Sequence, residues 1–156
     1  MASDQNSLGT LLRHLIELLD EDVQRAYDDA GLNYRPRYTP VVRALDALGS
    51  ASIRALAGRA SMTHSAVSQT VAQMHKAGLV ELGAGQDGRE RIVSATAVLT
   101  TMLPRLRQLW AATSRAAAHL DQDLSSPLYL VVAEAIQALE SRPFGERLRD
   151  AEEVAC

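Results

Sequence analysis

The chain has 156 residues, 47% hydrophobic and 22% charged, which is enough for one domain or two small lobes sharing a core. Only 4% of residues are aromatic and Ala and Leu are abundant, which favours helix over sheet. No apolar run approaches the ~20 residues of a membrane span, "MASDQNSLGT" lacks the basic-then-apolar pattern of a signal peptide, and Cys156 alone cannot build a disulfide framework, so a cytoplasmic location is expected. The net charge of −3 argues against a nucleic-acid partner until its distribution is considered. Residues 1–50 and 92–156 are acidic, with balances of −3 and −2, whereas residues 52–91 stand at +2. Phosphate contact depends on the local field more than on the total.

In chain order, Ser7 to about Ala30 places Leu8, Leu11, Leu12, Leu15, Leu18, Leu19 and Val23 at helical spacing, with Gly31 as C-terminal cap. "NYRPRY" reads as a connector. Thr39-Pro40 reads as N-cap and first helical position of a helix that stops at Gly49. Ser50 or Ser52 can cap the next helix, "IRALAGRA", and Thr63 caps a third that ends at Gly78. Then "LVEL" and "RERIVS", joined by "GAGQDG", predict a β-hairpin with a Gly-rich tip. Thr96 to about Asp121 is helical again. Pro104 lies either in the first turn of a helix starting near Thr101 or at a kink. Ser126-Pro127 starts a last helix with Leu128, Val131, Val132, Ala135 and Leu139 facing inward, and the final segment allows one further helical turn.

The informative stretch is "MTHSAVSQTVAQMHKAGLV", Met62–Val80. Val67, Val71 and Met74 fall within a narrow arc of the helix, and opposite them lie Ser65, Ser68, Gln69, Ala72, Gln73 and Lys76. A surface helix that covers a core usually turns a densely charged face to water. A helix that enters the DNA major groove must be slim and must offer hydrogen-bond groups, as Gln can to adenine and Ser to several bases. Alone, the face also fits a short polar surface helix. Its context is more specific, because "IRALAGRASM" supplies a first helix and a tight turn, and the hairpin supplies a wing with Arg89 and Arg91 near its tip. Free amides at the Thr63 end can also hold a phosphate. The expected fold is therefore mainly α with a small β-hairpin wing, a winged helix-turn-helix.

"LAGRASMTHSAVSQTVAQMHKAGLV" (Leu56–Val80) followed by "DGRERIV" (Asp87–Val93) resembles the MarR family of bacterial transcription regulators. That family reads L-A, then an ST position, then V-[ST]-x-x-V and G-L-V, and a wing containing D-x-R, and each of those positions is filled here. "YRPRYTPVVRALD" and "RPFGERL" resemble an actinobacterial subgroup. Two positions depart from the pattern: Ala95-Thr96-Ala97-Val98-Leu99 replaces the usual L-T-x-x-G after the wing, and Met74-His75 stands where Leu-Glu is common. The resemblance implies a dimerisation helix and connector over 1–38, a winged helix-turn-helix over 39–95 and dimerisation helices with a tail over 96–156. It implies a homodimeric repressor released by a small molecule, reading a near-palindromic operator in double-stranded DNA with recognition helices about 34 Å apart. The leucine content of the outer helices, more than one small winged helix could bury, points the same way.

Carried over residue by residue, Thr63, Ser65, Ser68 and Gln69 become recognition-helix contacts, Gln73 and Lys76 touch phosphate, and Arg89 reaches the minor groove. Asp87 anchors the wing by pairing with a neighbouring Arg. Tyr34, Arg37, Tyr38, Arg43 and Trp110 are candidates for a pocket that takes a phenolic or carboxylate effector. A winged helix that binds protein and not DNA is the alternative. Gly83–Gly88 matches G-x-G-x-x-G, but a dinucleotide site needs a helix directly after it, where "RERIVS" is strand-like. His14, His64, His75 and His119 have no metal-ligand spacing, so no metal or other cofactor is expected. No nucleophile-and-base arrangement suggests an enzyme. Cys156, without basic neighbours, reads as inert.

Overall fold

A computed structural model describes residues 7–154 of the chain, so Cys156 lies outside the described residues. By internal contacts the chain forms two units, residues 1–109 and 110–156, with the fifth helix running through the division.

In the first unit, helix α1 (Leu8–Asp29) starts at Ser7, whose Oγ accepts from the Thr10 amide at 3.2 Å. It ends in a left-handed turn at Gly31, φ 69°, with the Leu32 amide donating to the Tyr27 carbonyl at 3.0 Å. Its last turns bury Tyr27, but Leu11, Leu12, Ile16 and Leu19 stay exposed in the single chain, and Leu8 is 69% exposed. The connector forms a 3-10 turn, Pro36–Tyr38, and helix α2 (Thr39–Leu48) follows.

Thr39 is not the cap expected of it. It is the first helical residue, Tyr38 holds the cap position, and the Thr39 hydroxyl accepts from the Tyr34 hydroxyl at 3.3 Å. The 3-10 turn feeds the chain into the helix already coiled, which leaves no extended residue to cap it.

Between α2 and helix α3 (Ile53–Ala60) lies a two-residue strand, β1 (Ala51–Ser52). Ser52 resolves the choice of cap, its Oγ accepting from the Ala55 amide at 3.2 Å, while Ser50 Oγ lies 2.8 Å from Ser94 Oγ. Helix α4 (His64–Lys76) is followed by the antiparallel pair β2 (Val80–Ala84) and β3 (Arg91–Ala95). The sheet order is β1-β3-β2, in register Ala51↔Val93 and Val80↔Ala95 through Ala84↔Arg91. Leu56, Val67, Val71, Met74, Leu79, Val80 and Val93 form the buried centre of this winged helix, each large apolar side chain contributing about 1.5–3 kcal/mol of burial.

Helix α5 (Ala97–Leu120) carries Pro104 in its interior, so it starts well before Thr101 and Pro104 is not in its first turn. The missing proline N–H deprives the Thr100 carbonyl of its helical donor. Just before it, the Thr100 and Thr101 hydroxyls donate back to the carbonyls of Thr96 and Ala97, at 3.0 and 2.8 Å. The segment Ala95–Leu99, which departs from the family pattern at its two ends, is held at Thr96. The Thr96 amide donates to the Leu79 carbonyl at 3.0 Å and its hydroxyl to the Gly78 carbonyl at 2.7 Å, tying the start of α5 to the end of α4.

The second unit holds the rest of α5, a 3-10 turn (Asp121–Asp123), helix α6 (Leu128–Ser141) and helix α7 (Phe144–Val154). Asp121 Oδ1 caps α6, accepting from the Leu128 amide at 2.8 Å. The end of the chain forms an eleven-residue helix where one turn was expected. Its Arg147 Nη2 donates to the Ala138 carbonyl at 3.1 Å, and Arg142 and Asp150 form an ion pair. Val131, Val132 and Leu139, expected to face inward, are exposed in the single chain, as is Tyr129 at 77%. Among the described residues no helix is long and apolar enough to cross a membrane.

Candidate nucleic-acid interface

The turn between α3 and α4 is made by Ser61 in the left-handed region, φ 53° and ψ 41°, the one non-glycine residue there among the described residues. The amides of Ser61 and Met62 both close on the Ala57 carbonyl, and the chain then reaches Thr63 in extended conformation. Thr63 Oγ1 accepts from the Ala66 amide at 3.1 Å, as its sequence position predicts. The first intrahelical bond runs from the Val67 amide to the Thr63 carbonyl at 3.0 Å. The amides of His64 and Ser65 therefore head the helix at the positive end of its dipole, with no acidic residue in the first turn.

Val67, Thr70, Val71 and Met74 turn into the core, and this anchors α4 by one narrow face. Ser65, Gln69, Ala72 and Lys76 follow one another along the exposed side at helical spacing, with Ser68 and Gln73 half-buried at its margins. The exposed line carries no acid and one cation, at its C-terminal end. Gln73 differs from its neighbours because its Oε1 is buried and has no hydrogen-bond partner among the described residues. At the end of α4, His75 Nδ1 lies 3.0 Å from the Val80 carbonyl. A carbonyl only accepts, so the ring proton sits on Nδ1. This bond ties the helix end to β2.

The wing tip closes through the Gly85 amide on the Glu90 carbonyl at 2.7 Å and the Gly88 amide on the Gly85 carbonyl at 3.0 Å, with Gly88 at φ 69°. Asp87 Oδ1 accepts from the Arg89 amide at 3.1 Å. The carboxylate thus holds the loop through the backbone of Arg89, an Asx turn, where an Arg side-chain pair was expected. Arg89 and Arg91 are exposed on either side of Glu90. β3 follows the Gly-rich tip directly, so no helix N-terminus is available to a pyrophosphate.

The residues considered for an effector divide in two. Tyr34 and Tyr38 are buried, and their rings meet edge to face at 5.7 Å, with Tyr27 against Tyr34 at 4.9 Å. Burial pushes the Tyr34 hydroxyl well above the ordinary tyrosine range, so it stays protonated and donates to Thr39. Arg37 and Arg43 are exposed, the Arg37 guanidinium lying 5.8 Å from the centre of the Tyr38 ring. Trp110 is buried and belongs to the second unit. Among the described residues no group of three or more His, Cys, Asp or Glu could hold a metal ion.

Against this geometry, residues 30–90 match the model of the MarR family. Over those residues the winged helix is similar to that of the MarR family. Among curated proteins none matches the chain in sequence. Solved structures agree in fold. The Mycobacterium tuberculosis transcriptional regulator MOSR, in complex with DNA, superposes with a TM-score of 0.69 at 19% identity, over 88% of this chain and 99% of that one. The organohalide-sensing regulator RdhR, in its 2,4-dichlorophenol-bound form, gives 0.63 at 16% identity, over 92% and 85%. PcaV of Streptomyces coelicolor, in complex with its natural ligand, gives 0.59 at 19% identity, over 91% and 99%. The fold shared with these structures therefore extends well past the matched segment in both directions.

Proposed function

We propose that the chain is a homodimeric, sequence-specific DNA-binding transcription regulator, a repressor released by a small-molecule effector. The observation that carries this is the outer line of α4. Ser65, Gln69, Ala72 and Lys76 make a slim, acid-free surface, capped by Thr63 and flanked by a wing that presents Arg89 and Arg91. Ser65, Ser68 and Gln69 are the proposed base-edge contacts, the Thr63 end of the helix, Gln73 and Lys76 the phosphate contacts, and Arg89 with Arg91 the wing contacts. Asp87 keeps Arg89 at the tip. The DNA complex of MOSR supports the reading.

The dimer rests on the apolar faces left open in the single chain: Leu8, Leu12, Ile16 and Leu19 on α1, and Tyr129, Val132, Ile136 and Leu139 on α6. Both dimerisation segments, 1–38 and 96–156, flank the DNA-binding residues 39–95. For the effector, the exposed cations Arg37 and Arg43 beside the buried Tyr34 and Tyr38 suit a phenolic or carboxylate ligand. The ligand complexes of RdhR and PcaV lend this support.

Selection from a random duplex pool tests the reading. A near-palindromic sequence should be enriched, with affinity that falls as salt rises. If no sequence is enriched and the protein also ignores duplex DNA at low salt, the DNA reading fails. The net charge of −3 favours the second reading, a protein-binding winged helix, in that event. Light scattering tests the dimer, and a monomer at micromolar concentration would contradict it.

A further inference from the structure

Of the 16 basic residues in the chain, Lys76 alone is a lysine and the rest are arginines. The difference is chemical. A guanidinium keeps its proton and its charge, whereas a lysine amine accepts an acyl group and then becomes neutral. The one side-chain cation that acyl transfer can erase therefore stands at the C-terminal end of the exposed line of α4. Among the described residues Lys76 takes part in no ion pair, whereas Arg25, Arg107 and Arg142 each meet a carboxylate. One turn back on α4 its neighbours are Ala72 and Gln73, so no acid shields the amine along the helix. The fold does not lean on its charge. The end of α4 closes through the Ala77, Gly78 and Leu79 amides on the carbonyls of Gln73, His75 and Met74, at 3.0, 3.0 and 2.9 Å. His75 is tied separately to the Val80 carbonyl.

We infer that Lys76 is an acylation site, and that its modification by an acyl phosphate is a charge switch on the exposed side of α4. The unprotonated Nζ attacks the acyl carbon. A C–N bond forms, the C–O bond to phosphate breaks, and inorganic phosphate leaves with the electron pair. The proton given up by the ammonium passes to solvent, and no oxidant or reductant is needed. The product is a neutral amide on a helix end whose backbone bonds are untouched. The effect on DNA rests on the function proposed above, while the reactivity of the amine does not. On that reading a dimer sets Lys76, Arg89 and Arg91 of each protomer on phosphates, and acylation removes one of the three. The slope of log affinity against log salt should then fall from roughly −5 to about −3.6, and affinity at ~0.1 M salt should fall by about 50-fold. Arg89 and Arg91 cannot be switched in this way, so Lys76 is the adjustable charge of the set.

Acetyl phosphate at neutral pH is the probe, with a blocked peptide carrying one lysine as the reference amine. After treatment of the full chain, trypsin should leave an uncut 60–89 fragment that carries one acetyl group on Lys76, because the modified lysine is no longer cleaved. A Lys76 that stays unmodified while the reference peptide is consumed would overturn the site. Saturation with the selected duplex should suppress the reaction, and undiminished acetylation in the complex would overturn the placement of Lys76 at the DNA. The acetylated protein, its circular dichroism unchanged, should bind that duplex with the weaker affinity and shallower salt slope given above. Untreated affinity after complete acetylation would overturn the switch. Lys76→Arg, compared with itself before and after treatment, should show no response to acetyl phosphate. A response equal to that of the natural chain would place the effect on another group, such as the terminal amine, and would overturn the switch as well. If the untreated chain binds no duplex at all, the function proposed above fails and the switch falls with it, while the tryptic fragment still decides the acylation site.

Discussion

Replacing Arg89 with alanine tests the wing and the charge economy of the site together. On the proposed reading, each protomer brings three exposed cations to the duplex: Lys76 at the end of α4, and Arg89 and Arg91 on the wing. A dimer that sets all of them on phosphates would show a slope of log affinity against log salt of roughly −5, since each neutralised phosphate contributes about −0.9. Raising salt from about 50 to 200 mM would then cost on the order of three decades of affinity. Arg89→Ala removes one contact per protomer, so the slope should fall to about −3.6 and affinity at low salt should drop on all duplexes alike. The Asp87 contact is to the Arg89 backbone amide, and it survives truncation of the side chain. The wing geometry is therefore not confounded with the lost charge. Fluorescence anisotropy of the selected duplex over a salt series measures both quantities. If the variant keeps the wild-type slope and affinity, the wing does not touch the backbone and the assignment of Arg89 is wrong. A wild-type slope far steeper than roughly −5 would show that unassigned cations, such as Arg54 and Arg59 on α3, also reach phosphate.

Gln69→Ala should act differently from Arg89→Ala: it should cost about 1–3 kcal/mol on the selected sequence, relax preference at one base position and leave the salt slope unchanged. Equal losses on selected and random duplexes would show that Gln69 reads no base. Thr63→Ala removes the Ala66 cap and should lower stability by about 1 kcal/mol, read as a lower melting temperature in the absence of DNA. No change there would mean that water caps the helix equally well. Ser61→Gly should raise the melting temperature by roughly 2–4 °C, because a left-handed non-glycine residue is strained by about 1 kcal/mol. Ser61→Val should lower it, and the opposite order of the two variants would refute the strain.

The winged helix was legible in the sequence because its signals are local. The cap at Thr63, a serine cap at position 50 or 52, the Gly-rich tip and the helical spacing of Val67, Val71 and Met74 each act within a few residues. Misjudged features depend on partners distant in the chain. Thr39 looked like a cap because Thr-Pro starts many helices, but a preceding 3-10 turn made it helical. β1 escaped notice since two residues form a strand only by pairing with Val93 and Ile92, some forty positions later. Pro104 left two readings of α5 open, a start near Thr101 or a kink, and it is the distant carbonyls of Gly78 and Leu79, bound by Thr96, that fix the early start.

The open apolar faces connect fold to function more closely than their location suggests. A lone winged helix of this chain would carry about three phosphate contacts and a slope near −3, which leaves little affinity at physiological salt. The side chains proposed to read bases are neutral, so they would add discrimination more than strength. Two copies held at a fixed spacing double the contacts and make the second engagement intramolecular. For a strongly basic recognition helix, dimerisation would be an improvement. For α4, with one cation on its outer line, dimerisation is on the proposed reading a condition of binding. Substitutions that break the dimer through the leucine face of α1, far from any DNA contact, should therefore abolish operator binding as completely as loss of the wing. The weak charge of the recognition surface and the exposed leucines of the outer helices are then two parts of one design.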